Sequence, residues 1–517
     1  MTHPICHYFK NKSIRVLRRK IRAYERFAQN GESQAANKVY THLRTSQVIP
    51  PLRFLKITLS TETINEYLSY KLFNFELSDN LYSSMLKPDV YELPNNLPDS
   101  WRALLESQYR IRSTRHSFLR WRLLGLKQVV LCLAYGLLVI ANMLKTRQHD
   151  ATSGIYLEGL TTKNLPSQGN KPSYTIVDYF KTLRSTETCF ANLKITGPAR
   201  IDAIIPVFSP FDSIRICYAP RIILFMIALC AGSIISIILG RGILAMLSIE
   251  ILKTRLADLL DQRSICREYA FYNSWSVYRP AWTYPLEQKG ALISLYFYSI
   301  NCLPFNIDNK LLDTHFAYER MSWKNYIVWN AKMIPFLRRN ARFNATFEIT
   351  DPVTFSDKNT KLPSMKNKVV VFDVTPTRST LFYKNAPLTD YYSAKTENHF
   401  YTDIAETAKE LGIKLIFKRK RSLSVTTSKR YLNQIKQLEK LDHIEFADPD
   451  VSAHRLIKDC RAVLSMPFTS TAHIGAFFDK PSIYYDGTGR ISNSEPTALG
   501  IAMISNKKEL KSWLQSI

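Results

Sequence analysis

Three consecutive hydroxyl side chains, Thr469, Ser470 and Thr471, stand where a strand ends and a helix must begin. Arg461-Ala-Val-Leu-Ser-Met466 is an apolar run of strand length, and Pro467 ends it. Ala472, Ile474 and Phe477 mark the following helix, which Pro481 stops before a second strand, Ser482-Ile-Tyr-Tyr485. The first turn of a helix carries unbonded N–H groups and partial positive charge, so it attracts an anion. Hydroxyls there add donors of their own. The pattern is suited to holding a phosphate, such as the one in a nucleotide-sugar donor. The same hydroxyls also serve as ordinary N-caps, a role that needs no ligand.

Pro467-Phe-Thr-Ser-Thr471 resembles the motif that names the PFTS motif proteins of bacterial surface-polysaccharide biosynthesis. The similarity extends to Lys480-Pro-Ser-Ile-Tyr-Tyr-Asp486 and, upstream, to Tyr278-Arg-Pro-Ala-Trp-Thr-Tyr-Pro-Leu-Glu287, with weaker likeness at Tyr296-Phe-Tyr-Ser299. It covers about half of the chain, mainly beyond residue 150, and Ala281 and Pro285 depart from the pattern. The resemblance implies an α/β chain of GT-B-like architecture: two Rossmann-like domains facing a cleft, the second binding the donor. It implies a glycosyltransferase that moves a sugar from a nucleotide-sugar to a lipid-linked glycan of lipopolysaccharide or capsule. The nucleotide-sugar is then a co-substrate, and no metal or other cofactor is expected. A fold-retaining, non-catalytic assembly protein is the alternative.

That expectation selects further residues. Lys418-Arg-Lys-Arg421 follows a strand, and Lys418 and Arg421 are suited to neutralising a donor phosphate and a leaving nucleotide. The bland alternative is a solvated basic loop. An inverting transfer needs a base for the acceptor hydroxyl proton. Glu287, in the block that resembles the family, and Asp373, at the end of Lys368-Val-Val-Val-Phe-Asp373, are the candidates. Glu287 can equally start a helix, and Asp373 can cap a turn. Asn273, Ser274 and Arg279 are suited to an acceptor or to a donor carboxylate, since a guanidinium binds a carboxylate through two parallel hydrogen bonds. A carboxylate-bearing donor would be an acidic sugar carried as a CMP ester, with UDP and GDP donors left open. Glu495 is a candidate for the nucleotide ribose. His473 reads as a helix residue near the site. Asp448-Pro-Asp450 matches a metal-binding triplet only superficially, and Gly487-Thr-Gly489 is a weak phosphate signal.

These residues need elements to carry them. From residue 367 to 517 the chain alternates strand and helix in a βα rhythm that argues for a parallel, doubly wound sheet. Ligands in such sheets bind beyond the carboxyl ends of the strands, which is where the loops after Asp373, Phe417 and Met466 fall. Residues 346–366, with Asp351-Pro352 and Leu362-Pro363, read as a polar linker between the halves. Residues 151–345 read as an acceptor-side α/β domain with apolar helices over 222–252. Residues 1–150 read as a mostly helical, basic, membrane-associating extension.

Composition narrows the partners. A chain of 517 residues is long enough for two or three domains. Its net charge of +27 favours polyanions: anionic lipid, phosphorylated substrates or nucleic acid. Nucleic acid ranks last, because the basic runs do not alternate with aromatics along one face. The eight cysteines form no CxxC pair and read as reduced core residues. The first residues lack the apolar core of a signal peptide, so the catalytic part is expected at the cytoplasmic face of a bacterial inner membrane. Residues 10–26 pattern as a basic amphipathic helix, suited either to anionic lipid or to packing on the chain's own domain. Residues 128–144 and 222–240 are uncharged stretches of 17 and 19 residues. Two true spans would cut the intervening α/β segment off from its domain, so buried or half-inserted helices that hold the chain against the membrane are the favoured reading, with a spanning hairpin as the alternative.

Overall fold

The computed structural model describes residues 115–517 apart from 145–153, 161–174, 185–188, 193–203, 208, 240–242, 273–278, 299, 301–302, 313–320, 342–343, 354–361, 377–390, 421 and 424–426. The basic segment 10–26 and most of the proposed extension therefore lie outside the described residues.

Two parallel sheets carry the fold. The first is built from β1 (Ile155–Leu157), β2 (Cys189–Asn192), β3 (Ile204–Val207), β4 (Glu268–Tyr272) and β5 (Leu292–Phe297), continued by β8 (Asn325–Val328) and β9 (Thr346–Ile349). A small antiparallel hairpin, β6 (Asn306–Ile307) and β7 (Lys310–Leu311), stands apart. The strand order is β3-β2-β1-β4-β5-β8-β9. The second sheet holds β10 (Val369–Phe372), β11 (Leu415–Lys418), β12 (Ile444–Ala447), β13 (Ala462–Ser465), β14 (Ser482–Tyr485) and β15 (Ala502–Ile504). Its order is β12-β11-β10-β13-β14-β15. Each half thus runs outward from its first strand, then reverses to the other side, the order of a doubly wound Rossmann sheet. The chain is α/β with two Rossmann-like domains of GT-B-like arrangement.

The helices are α1 (Arg115–Met143), α2 (Ile176–Leu183), α3 (Ala219–Ile238), α4 (Ile243–Leu259), α5 (Thr283–Gln288) and α6 (Ile334–Asn340) in the first half. The second half adds α7 (Ala394–Glu410), α8 (Lys429–Leu438), α9 (Ala453–Lys458), α10 (Thr471–Phe477) and α11 (Lys507–Ser516).

Local chemistry explains the central elements. Val369-Val-Val-Phe372 is continuously apolar because β10 is buried on both faces, and Val371 lies in register between Phe417 and Leu464. After α7, Gly412 takes a left-handed φ of +67° and turns the chain into β11. Asn506 caps α11 by accepting from the Glu509 N–H. Cys132, Cys230, Cys266 and Cys460 are buried thiols.

Two boundaries differ from those expected. Residues 346–349, placed in the linker, form edge strand β9 paired to β8. Glu348, on β9, binds Arg184 and accepts from the Tyr179 hydroxyl, so the first domain extends past residue 345. Residues 115–143, assigned to a separate extension, form α1, which packs on α3 and α4 of that domain. Apolar contact with α4 outweighs the local composition that suggested a boundary near 150.

Candidate functional site

The carboxyl edges of the two sheets face each other. Tyr298, one residue past β5, meets Ser470 beyond β13, whose hydroxyl donates to the Tyr298 carbonyl at 3.4 Å. The Lys332 ammonium, past β8, donates to the Leu499 carbonyl at 3.3 Å. His454 Nε2 donates to the Pro352 carbonyl, past β9, at 3.0 Å. A parallel sheet leaves a crevice at the point where its strand order reverses. That point is between β1 and β4 in the first domain and between β10 and β13 in the second. Ser465 ends β13, so the hydroxyl turn begins at the second reversal.

The turn is tightly built. Phe468 adopts φ +60°, a left-handed backbone that a bulky side chain takes only at a cost of about 1 kcal/mol or more. Its ring is held against Phe305 of the other domain, centroids 4.4 Å apart. Thr469 is buried, and its hydroxyl donates to the Met466 carbonyl at 2.8 Å. Thr471 Oγ1 lies 2.8 Å from Ser465 Oγ and 3.2 Å from Thr469 Oγ1. None of the three caps α10: Ser470 precedes the helix with helical φ and ψ and makes no capping bond. The N-cap expectation is thereby corrected, since the hydroxyls bond to one another, to Ser465 and to carbonyls. Ser470 and Thr471 remain half-exposed at the junction of the domains. Gly475 lets α10 lie against the sheet, because a Cβ there would stand 2.9 Å from Val463 Cγ2 and 2.1 Å from Ser482 Oγ.

Asp373 sits at the β10 side of the same reversal and is fully engaged. Its carboxylate accepts from the Tyr401 hydroxyl at 2.8 Å, from the Lys420 N–H at 2.6 Å and from the Tyr431 hydroxyl. It is buried, and its bond to the Lys420 N–H ties down the chain just past β11; a base for an acceptor would need a free oxygen. Beside it Glu397 is buried, with burial first and the Asp373 charge second pushing its carboxyl well above the usual range. Its Oε1 accepts the Val374 N–H at 3.1 Å, and its Oε2 has no hydrogen-bond partner among the described residues.

Lys418 is also committed. It is buried, its ammonium donates to the Pro449 carbonyl at 3.1 Å, and burial lowers its pKa despite nearby Asp373, Asp450 and Asp448. Lys418 lies in register with Phe372 and Ser465, so its side chain is on the same face of the sheet as Ser465, two strands away, and its ammonium is held under the Asp448-Pro-Asp450 loop. Arg421 lies outside the described residues. Asp486 gathers the Thr488 N–H and hydroxyl, the Ile491 N–H and the Tyr391 hydroxyl, so the Gly487-Thr-Gly489 turn spends its donors on its own scaffold.

Glu495 is a latch between the domains. Its Oε2 accepts the Asn306 N–H at 3.0 Å and the Asn306 side-chain amide at 2.9 Å, and its Oε1 accepts the Thr497 N–H. Arg490 and Asp308 pair alongside it across the same junction. Its Oε2 is doubly occupied by the junction, which makes Glu495 a residue of the domain contact.

The acceptor-side expectations fare differently. Glu287 lies in the last turn of α5, five residues before β5 begins, and pairs with Lys324, the residue before β8. Both mark the amino edge of the sheet, opposite the cleft, so Glu287 is a scaffold residue and the assignment of a base to it is corrected. Arg279 is buried and contacts its own block: Thr283 Oγ1 at 2.9 Å, Glu287 Oε1 at 3.1 Å and the face of Tyr284 at 4.0 Å. It has no exposed fork for a carboxylate. Asn273 and Ser274 come next in sequence after β4 and lie outside the described residues.

Sequence reasoning passed over Glu158 and read His473 only as a helix residue near the site. Glu158 is the first residue past β1, at the reversal of the first sheet. It accepts from the Tyr156 hydroxyl at 2.6 Å. Burial pushes its carboxyl above the usual range, with Lys253 and Tyr156 opposing and Glu250 adding to the rise. A lone acid after a short apolar strand was the available signal, and it means little until the strand order is known. His473, on the first turn of α10, has Nε2 buried with no hydrogen-bond partner among the described residues. Burial, then the Lys332 charge, lower it to about 4, so the ring is neutral beside the hydroxyl turn. No group of three or more His, Cys, Asp or Glu among the described residues is placed to hold a metal.

A family model described as "Polysaccharide biosynthesis PFTS motif protein" matches residues 233–514, more than half of the chain. No curated protein matches the sequence significantly. Among solved structures, the UDP-GlcNAc 2-epimerase of Methanocaldococcus jannaschii, in complex with UDP-GlcNAc and UDP, is 9% identical with a TM-score of 0.34. That match covers 70% of this chain and 92% of the epimerase. UGT2 of Phytolacca americana, complexed with UDP-2-fluoro-glucose and pterostilbene, is 11% identical with a TM-score of 0.29, over 69% of this chain and 82% of the other. Scores this low carry no weight for chemistry, and the fold assignment rests on the two sheets themselves.

Proposed function

This chain belongs to the polysaccharide biosynthesis PFTS motif family, and from that premise we propose that it is a glycosyltransferase using a nucleotide-sugar donor. The observation that carries the reading is the position of the Pro467-Phe-Thr-Ser-Thr471 turn. It lies where the strand order of the second sheet reverses and where the first domain's carboxyl edge meets it. Ser470 and Thr471 would donate to the donor phosphate, with the neutral His473 ring beside them. The acceptor would be a lipid-linked glycan of lipopolysaccharide or capsule, approaching the first domain.

Glu158 replaces Glu287 as the proposed base. It stands at the reversal of the acceptor-side sheet, and its raised pKa suits a group that must take and release a proton. No step in this reading requires a metal: donor hydrogen bonds at the turn, and the basic loop at 418–421 once Arg421 is included, would stabilise the departing phosphate.

A second reading keeps one observation on its side. Asp373, Lys418 and Glu495 are engaged in packing and in the interdomain latch, as an assembly protein that retained the fold without the chemistry would have them. Heat-unfolding measurements with CMP-, UDP- and GDP-sugars separate the two, since a ligand that binds only the folded state raises the midpoint. Selective protection by one nucleotide class, with release of that nucleotide on turnover, is expected. Protection by none would favour the assembly protein.

A further inference from the structure

We infer that α1 and α3 form a membrane-docking face that lies in the plane of an anionic bilayer without crossing it. The inference stands apart from the transferase reading, because it uses no residue of the cleft.

The two helices run antiparallel. Gly125 of α1 lies against Ile237 near the end of α3, and Gly136 lies against Met226 near its middle. The approach at Gly136 is close enough that a Cβ would stand 2.2 Å from Met226 Sδ. Each helix has two apolar faces. On α3, Ile222, Met226, Leu229, Cys230 and Ile237 are buried. Opposite them Leu224, Ile227 and Ile238 are 67%, 59% and 65% exposed, at the spacing of a single helical stripe. On α1, Val129, Cys132 and Val139 are buried, while Val130 and Leu137 are 64% and 60% exposed. The outer stripes lie side by side as one exposed apolar face of the kind that marks an interaction site.

By length and composition both helices would pass as membrane spans. Packing decides against crossing. Helix α4 runs beneath both: Ser248 Oγ lies 3.4 Å from the Gln128 carbonyl of α1, the Lys253 ammonium is 5.4 Å from the Tyr135 ring, and the Arg255 guanidinium is 5.9 Å from the Phe225 ring of α3. Helix α4 in turn meets the sheet domain, where Glu250 accepts the Ala281 N–H. Driving α1 and α3 through a bilayer would carry Glu250, Lys253 and Arg255 to membrane depth, at about 2.5–3.5 kcal/mol for each charge. Lying flat immerses only the outer stripes.

Charge identifies the occupant as lipid. Residues 128–144 and 222–240 carry no charge, while exposed Lys127 and Arg221 stand at their ends, placed to reach headgroups from the rim. The whole chain is +27, which suits an anionic surface. A protein partner would need hydrogen bonds spread through the contact. The exposed positions of α3 between Arg221 and residue 240 are all apolar and offer none.

Flotation of the full chain with phosphatidylcholine vesicles, with and without phosphatidylglycerol, tests the inference. Binding should favour the anionic vesicles and weaken with salt. A Leu224→Glu, Ile227→Glu, Ile235→Glu variant should lose it by about tenfold or more while its unfolding midpoint stays put, because those side chains face away from the core. Vesicle binding that survives these changes would overturn the proposal. So would a solution dimer that the variant dissolves with no vesicle binding in either form, which would assign the face to a second copy. A fluorescent amino acid replacing Ile216 or, separately, Leu239 reads the orientation. An aqueous quencher added outside should reach both ends of α3 equally, and quenching at one end only would mean that the helix crosses. None of these outcomes depends on donor binding.

Discussion

Ser470→Ala separates a ligand-binding hydroxyl from a structural one. In the folded protein Ser470 Oγ makes one long contact, 3.4 Å to the Tyr298 carbonyl, and the residue is half-exposed. Its removal should cost the unliganded protein no more than about 0.5 kcal/mol. If the same hydroxyl donates to a donor phosphate, a charge-assisted bond of about 1.5–3 kcal/mol disappears. That corresponds to a loss of about 10- to 150-fold in affinity, at about 1.4 kcal/mol per decade. With ligand at about 100 times Kd the wild-type chain gains about 2.7 kcal/mol, and a 100-fold weaker variant gains only about 0.4 kcal/mol. At about 2–4 °C per kcal/mol, the protection shrinks from about 5–10 °C to about 1 °C. The assay is a heat-unfolding series with and without the protecting nucleotide-sugar. Thr469→Ala is the contrast: its buried hydroxyl bonds the Met466 carbonyl at 2.8 Å, so it should lower the unliganded midpoint by the equivalent of about 1–3 kcal/mol. Unchanged protection in Ser470→Ala, or an unliganded loss as large as that of Thr469→Ala, would refute a phosphate-binding role for the turn.

Two further outcomes follow from the same geometry. Transfer should switch on as pH rises through a value above the ordinary carboxylate range, because burial keeps the proton on Glu158 and a base must first shed it. Glu158→Gln should lower kcat by about 10²–10⁴ and flatten that limb; a rate profile that keeps the limb would assign it to another group. Gly475→Ala should cost about 1–3 kcal/mol and weaken donor protection, because its Cβ meets Ser482 Oγ and the β-branched Val463, and α10 must lift off the sheet. Adding Ser482→Ala should restore part of the midpoint; no recovery would place the strain elsewhere.

Much of the second domain was readable as a string. Val369-Val-Val-Phe372 and Ala462-Val-Leu-Ser465 are apolar runs of strand length, and the helices between the strands are punctuated by Ser, Gly and Pro. These are local signals, set by backbone sterics and side-chain branching within a few residues. The hydroxyl turn was equally local, and its place after a strand put it at the right sheet edge. Strand β9 was missed because Thr346-Phe-Glu-Ile349 is an edge strand beside a polar stretch, and only its pairing with β8 makes it a strand.

The roles of the charged residues were decided by tertiary structure alone. Sequence placed Glu287 in the matching half of the chain. It could not say that the short α5 returns it to the amino edge of the sheet, where Lys324 waits. It placed Lys418 at a strand end, and the folded chain holds the ammonium under Pro449. Glu158 carries no local mark; its position matters because β1 and β4 flank the reversal, a fact of non-local pairing. The two apolar stretches were visible from composition, yet whether such helices cross a membrane depends on what packs against their inner faces. Composition and periodicity are properties of neighbours in the chain, so the string alone determined the strand-helix alternation of the second domain and the hydroxyl turn. Which edge a side chain faces, and what already occupies its hydrogen bonds, are properties of neighbours in space, and the folded protein decided those.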